Sequence, residues 1–318
     1  TTTRSGRGRD YAMRLPDWMA HGLRLPAIAA PMFLVSGPDL VIASRRAGII
    51  GSFPVTNART IEQLDAWMTR IASESGQNDP VWALNMIVHR SYTRLPEELE
   101  LLAQHRPRVV ITALGSPKPV IESVHAYGGH VLADVNSVAQ AEKAVAAGVD
   151  GLVLVSAGAG GHTGGLSAFA FVPAVREFFG GLVVLGGAIS TGRAVKAAQV
   201  LGADLVYVGT SLIAAEESMA HAEYKAMTVR AGSDDIVLSA ALTGAPANWL
   251  RESLTAAGYD PESLAAKKTT MNLGAPDGAQ AKRWRDVWSA GQGVGAVKRV
   301  APTAEIVGAL IADYQNAQ

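Results

Sequence analysis

The chain has 318 residues, of which 48% are hydrophobic and 18% charged, enough apolar material for a sizeable core. Its 28 basic residues balance 28 acidic ones, which argues against a nucleic-acid or anionic-membrane surface as the main partner. It has no cysteine, so disulfides, thiolate metal sites and a cysteine nucleophile are all excluded.

Residues 1–10, TTTRSGRGRD, are basic and polar with no apolar stretch, and are expected to form a flexible tail. No apolar run approaches the roughly 20 residues that span a bilayer. No membrane contact is expected, and a cytoplasmic location fits the cysteine-free composition. From there the chain repeats one pattern, a short apolar run, a break, then a helical stretch. Candidate strands are Ala27–Ala30, Ile49–Phe53, Val81–Asn85, Val109–Thr112, His130–Asp134, Gly151–Val155, Leu182–Leu185 and Leu205–Val208. Each is short and nearly continuous in apolar residues, as parallel strands covered on both faces should be. Between them, Thr60–Ala72 has a capping threonine, and Ser137–Ala147 and Thr191–Leu201 each stop at a glycine.

Eight such units predict a (β/α)8 barrel. An open doubly wound sheet gives a similar local pattern, but no GxGxxG follows the first strand. Residues 216–299 break the repeat, with glycines at Gly232, Gly244, Gly258 and Gly274–Pro276, and are expected to be a helical insertion lying over the barrel mouth. Residues 11–215 and 300–318 then form the barrel, with a last helix near Thr303–Tyr314 closing the ring. Trp249, Trp284 and Trp288 are expected to pack the insertion onto it.

Chemistry on this fold sits at the C-terminal strand ends. Pro31-Met32 follow the first strand, Asn85 ends the third, and Asp134 ends the fifth. The seventh ends in Gly186-Gly187 and the eighth in Gly209-Thr210. That last pair suits a phosphate held by backbone N–H groups, although glycines also make plain tight turns. The sixth strand leads into SAGAGGHTGGL, with five glycines in residues 156–166. Gly160 and Gly161 adjoin its one titratable side chain, His162. A histidine there is either a proton-transfer group or a latch that pins the loop. No pair of histidines has a metal-site spacing, and no metal is expected.

Taken together, APM near the start, GAGGHTG, LGGAISTGRAVKAAQVLGADLVYVGTSLIAAEES and the late WSAGQGVG resemble the nitronate monooxygenase family over roughly residues 25–300. The resemblance implies FMN bound without a covalent link, with its phosphate after the seventh and eighth strands. It implies that Pro31, Met32 and Asn85 contact the flavin and that Gly186, Gly187, Gly209 and Thr210 form the phosphate site. Gly291 and Gln292 would return to the flavin from the C-terminal region. Asp134, Gly160 and Gly161 complete the expected cofactor contacts. His162 matches the family's catalytic base for neutral nitroalkanes. One departure is Gly158, which stands where many relatives carry a glutamate.

The implied reaction oxidises small alkyl nitronates with dioxygen to a carbonyl compound and nitrite. The alternative is an FMN-dependent NAD(P)H reductase of quinone or enoyl-thioester type. A non-redox aldolase or isomerase would want a strand-end lysine, and none of the eight ends supplies one. Expected partners are a small substrate and dioxygen, with a homodimer compatible with the sequence.

Overall fold

The computed structural model describes residues 15–266 and 284–317, so the tail and the Gly274–Pro276 break lie outside the described residues. Eight parallel strands form the centre: β1 (Ala27–Ala29), β2 (Gly51–Pro54), β3 (Trp82–Ile87), β4 (Val109–Ala113), β5 (His130–Val135), β6 (Gly151–Val155), β7 (Leu182–Gly186) and β8 (Leu205–Val208). Each pairs with its neighbour in sequence, and β8 pairs with β1. The ring closes where Ile28 bridges Ile50, with the Ala29 amide donating to the Ile50 carbonyl at 2.8 Å. All eight expected strands are present, shifted by at most two residues at either end.

Eight helices cover the outside: α1 (Pro38–Ala47), α2 (Ile61–Ser73), α3 (Leu95–His105), α4 (Lys118–His125), α5 (Val138–Ala147), α6 (Ala168–Arg176), α7 (Gly192–Leu201) and α8 (Thr303–Asn316). Their starts and stops follow the local chemistry. Thr60, Ser137 and Thr191 each accept a hydrogen bond from the amide three residues on. Gly148 and Gly202 end their helices in the left-handed region. The last helix, α8, packs between α1 and α7 and so fills the eighth position of the outer ring.

Two apolar layers result. The larger lies between strands and helices. The smaller fills the barrel and contains Ile28, Ile50, Ala83, Ile111, Leu132, Val153, Val184 and Leu205. A four-residue helix, Asp17–Ala20, plugs the lower end with buried Met19, and Trp18 lies between Arg108 and the His130 ring. Beside it Arg176 donates to the Gly202 and Gly181 carbonyls and to Asp204 Oδ2 at 2.5 Å.

The insertion carries helices, Ala222–Arg230, Arg251–Ala256 and Pro261–Ala266. It also carries two antiparallel strands that the helical reading did not contain, Ile236–Ser239 and Ala247–Leu250, and Gly161–His162 adds to them as a third. No helix among the described residues is long and apolar enough to cross a membrane.

Candidate active site

Residues two apart on a strand share a face. Moving two residues toward the C-terminal end of each strand therefore keeps to the barrel interior, and there its character changes. Above Ile50, Ala83, Leu132 and Leu205 stand Ser52, Asn85, Asp134 and Tyr207. Above Ile28, Ile111 and Val184 stand Ala30, Ala113 and Gly186, all small, and Val155 above Val153 is the one larger apolar side chain of the layer. The apolar plug thus gives way to a floor of polar groups separated by small residues.

The polar groups are joined. Asn85 Nδ2 donates to the Ile111 carbonyl at 3.4 Å and to Asp134 Oδ2 at 3.3 Å, and the Tyr207 hydroxyl donates to Asp134 Oδ1 at 3.4 Å. Asp134 remains partly open to the mouth. Surrounding protein nevertheless disfavours its charge and pushes its pKa up to about 7, against the downward pull of the Tyr207 and Asn85 hydrogen bonds. The same desolvation, with the Asp134 charge, holds Tyr207 well above the usual phenol range.

His162 reaches its place through a loop that is latched at both ends. The Ser156 amide and hydroxyl both donate to the Gly186 carbonyl at 2.8 Å, and the Ala157 amide donates to the Leu166 carbonyl at 2.7 Å. Thr163 donates to the Ser156 carbonyl at 3.0 Å. The Gly161–His162 strand then pairs with Ala247 and Asn248 of the insertion, while Asn248 Nδ2 donates to the Ala159 carbonyl at 2.7 Å. The His162 ring meets the edge of Trp284 at 5.3 Å, and Trp284 stacks on the buried Trp249 at 4.5 Å. Solvent reaches the ring, but desolvation by the surrounding protein lowers its pKa and favours the neutral imidazole. Among the described residues the His162 ring makes no hydrogen bond to backbone, so the side chain is not what latches the loop. The His162 backbone pins the loop, and its side chain is an imidazole that desolvation favours in the neutral form, with no carboxylate partner among the described residues.

Three segments cross beside this loop. The Gln292 amide donates to the Gly158 carbonyl at 3.0 Å, and the Gly291 amide donates to Thr210 Oγ1 at 2.9 Å. A Cβ on Gly160 would stand 2.8 Å from the Gly291 nitrogen, and one on Gly291 would stand 2.7 Å from the Gly158 carbonyl oxygen. These glycines are required by backbone crossing backbone. Gly187 has a φ of 136°, and a side chain there would overlap the Ser156 hydroxyl. The crossing also accounts for Gly158. It has a φ of 89°, and a Cβ would lie 2.9 Å from Gln292 Oε1, so a glutamate would be both strained and crowded. Gln292 occupies the space in which that side chain would begin.

Gly160, Gly187, Thr210, Gly291 and Gln292 thus meet in one place, and Gly186 lies on the floor below them. Met32 joins them through Gly209, whose added Cβ would be 3.6 Å from Met32 Sδ. Pro31 lies in the same turn, which Asn57 clamps by donating to the Met32 carbonyl at 2.9 Å and accepting from the Leu34 amide at 2.8 Å. Asn57, Tyr207, Ser156 and Asn248 were not found from the sequence. Tyr207 alone was detectable there, two residues past Leu205 on the interior face of an expected strand.

The arrangement suits a flat polar cofactor with a phosphate. Among the described residues, the backbone N–H groups of Gly187, Ala188 and Gly209 meet no protein acceptor. They lie at the ends of β7 and β8, next to the open floor. The helix that follows β7 is less available, because the Arg193 amide already donates to Asp313 at 3.0 Å. Among the described residues, no group of three histidine or carboxylate side chains stands close enough to hold a metal ion.

Comparison with known proteins bears on the fold and the family. The FabK structure from Thermotoga maritima superposes with a TM-score of 0.76 at 22% identity, covering 96% of each chain. A nitroalkane oxidase from Streptomyces ansochromogenes superposes with a TM-score of 0.74 at 20% identity, covering 94% of this chain and 98% of that one. These likenesses show the barrel. By sequence, a Mycobacterium tuberculosis protein is 35% identical over 52% of this chain, which spans only 44% of that relative's length. The nitronate monooxygenase of Pseudomonas aeruginosa is 30% identical over 64% of this chain and 70% of its own. The family model for nitronate monooxygenase matches residues 16–313. With that match over nearly the whole chain, the protein belongs to the nitronate monooxygenase family of flavin-dependent oxidoreductases.

Proposed function

We propose that the chain binds FMN and oxidises small alkyl nitronates with dioxygen, yielding a carbonyl compound and nitrite. The observation that supports this best is the meeting of the β6, β7 and β8 loops with Gly291–Gln292 above a polar floor, where unpaired N–H groups suit a phosphate. A bound flavin supplies the electron acceptance and the reaction with dioxygen. The chain's own contribution is to hold the phosphate on the Gly187, Ala188 and Gly209 amides and to offer Asn85 and Met32 to the ring system.

His162 stands as the proton-transfer group for this reading. A neutral imidazole can hold a nitro oxygen by hydrogen bond or take a proton from the adjacent carbon of a neutral nitroalkane. Its lowered pKa makes it a weak base, and no carboxylate among the described residues strengthens it. A nitronate has already lost that proton, so it is the substrate class this site serves best.

Anaerobic mixing tests the reading. Flavin absorbance should bleach with an alkyl nitronate and not with NADH or NADPH. Bleaching by NADH or NADPH instead favours the reductase alternative, and a protein that holds no flavin sinks both. His162→Ala should cut turnover of neutral nitroalkane by about 100-fold or more while nitronate oxidation falls less. Equal losses on both substrates would assign the histidine to binding rather than to proton transfer.

A further inference from the structure

The floor of the barrel joins Asn85 to Asp134, a carboxyl group that the reaction above does not use. Asn85 is buried, and its amide nitrogen makes two contacts, with the Ile111 carbonyl and with Asp134 Oδ2. A backbone carbonyl can only accept, which settles which end of the amide faces Ile111. An amide nitrogen has two N–H groups, and here both are engaged. What Asn85 has left is its oxygen, an acceptor.

The second contact depends on Asp134. Its other oxygen accepts from the Tyr207 hydroxyl, so the carboxyl is held from two strands at once. The residue directly opposite it on β6 is Val153, and the interior residues of β4 and β7 near it are Ile111, Ala113 and Gly186. None of these titrates, and Tyr207 is the titratable group facing it from β8. Nothing on the neighbouring strands therefore supplies a positive charge, in keeping with the raised pKa.

We propose that Asp134 is a positioning residue: its carboxyl group holds the Asn85 amide with the oxygen turned to the ligand side, so that the floor selects a ring presenting an N–H donor there. The identity of the ring rests on the flavin reading, whereas the coupling of Asp134 to Asn85 does not. Oxidised flavin has one ring N–H, at N3, and methylation at N3 removes it.

Two measurements on the full-length chain test this. The first follows the Asn85 side-chain amide signals by NMR as pH is varied. They should shift together with the ionisation of Asp134, and in Asp134→Asn that pH dependence should vanish while the amide stays ordered. Signals that ignore pH, or that keep their dependence in Asp134→Asn, overturn the coupling whatever the cofactor.

The second compares binding of FMN and N3-methyl-FMN by fluorescence quenching. An acceptor left unpaired costs enough that the wild type should prefer FMN by about tenfold or more. Asp134→Asn can still accept from Asn85 and should keep the preference, whereas Asp134→Leu should lose most of it. Equal binding of the two flavins by the wild type overturns the orientation. So does an equal loss of affinity for both flavins in Asp134→Leu, the result expected of a purely structural role. If Asp134→Leu does not fold, the wild type and Asp134→Asn still decide the matter. A wild type that binds neither flavin defeats the flavin reading alone, and the titration still decides the coupling.

Discussion

The two ends of the barrel are built from the same eight strands and solve opposite problems. At the lower end Leu132, Val153, Val184 and Leu205 fill the interior, Met19 seals it, and Arg176 is paired with the buried Asp204. At the upper end the interior positions other than Val155 hold small or polar residues, a carboxyl group carries a raised pKa, and glycines let three chain segments touch. At the lower end the charged pair is satisfied within the protein, and His130 Nδ1 is the buried side-chain atom left there without a partner among the described residues. The upper end leaves amides and an amide oxygen without partners among the described residues, which is stability forgone so that a ligand can be held.

That contrast makes quantitative expectations. Arg176→Leu at the lower end should have the largest effect on folding, about 3–5 kcal/mol, because it strands the buried Asp204 carboxylate. Denaturant unfolding would measure it, and flavin affinity should be unchanged. A coupled loss of flavin binding would mean that the two ends are not independent.

At the upper end the expected signature is pH dependence. The folded-state pKa of Asp134 lies near 7, above its ordinary value, so the native state binds more protons than the unfolded chain between about pH 4 and 7. The stability that goes with this proton is complete below pH 4 and is lost as pH rises through 7. Asp134→Asn removes that loss, so the variant should gain on the wild type as pH rises, by about 2 kcal/mol and by at most ~4. Thermal or urea melts at pH 4.5 and 7.5 would show it, and parallel curves would refute the raised pKa.

Smaller effects follow at single backbone positions. Gly158→Ala forces a side chain into the left-handed region and toward Gln292, and should cost about 1–2 kcal/mol. An unchanged melting temperature would show that the missing glutamate is not a matter of backbone strain. Thr191→Ala removes a cap from α7 and should cost about 1 kcal/mol without affecting flavin affinity. A large loss of flavin binding there would assign the α7 start to the phosphate after all.

Much of the architecture was legible in the sequence because it is local. Apolar runs of four to six residues, capping Thr60, Ser137 and Thr191, and stop glycines 148 and 202 each act within a few positions. The insertion was only half legible. Its helices show in composition, but the strand Ala247–Leu250 forms because it has Gly161–His162 and Ile236–Ser239 to pair with, and a partner such as Gly161–His162, more than eighty residues away, leaves no local mark. The site behaves likewise. His162 stood out by the glycines around it, whereas Asn57 and Asn248 are ordinary polar residues whose role is to clamp distant loops.

The sequence by itself determined that this chain alternates strands and helices, places glycines after the sixth, seventh and eighth strands, and carries one histidine among them. Family motifs followed from those residues. Only the tertiary structure decided what the glycines are for, since their need arises from crossings of Gly158, Gly160 and Gly291 that are far apart in the chain. It also decided that Asn85, Asp134 and Tyr207 form one group, because closing the barrel brings β3, β5 and β8 to a common interior. Barrel closure is a long-range event, and the environment that raises the Asp134 pKa exists only after it.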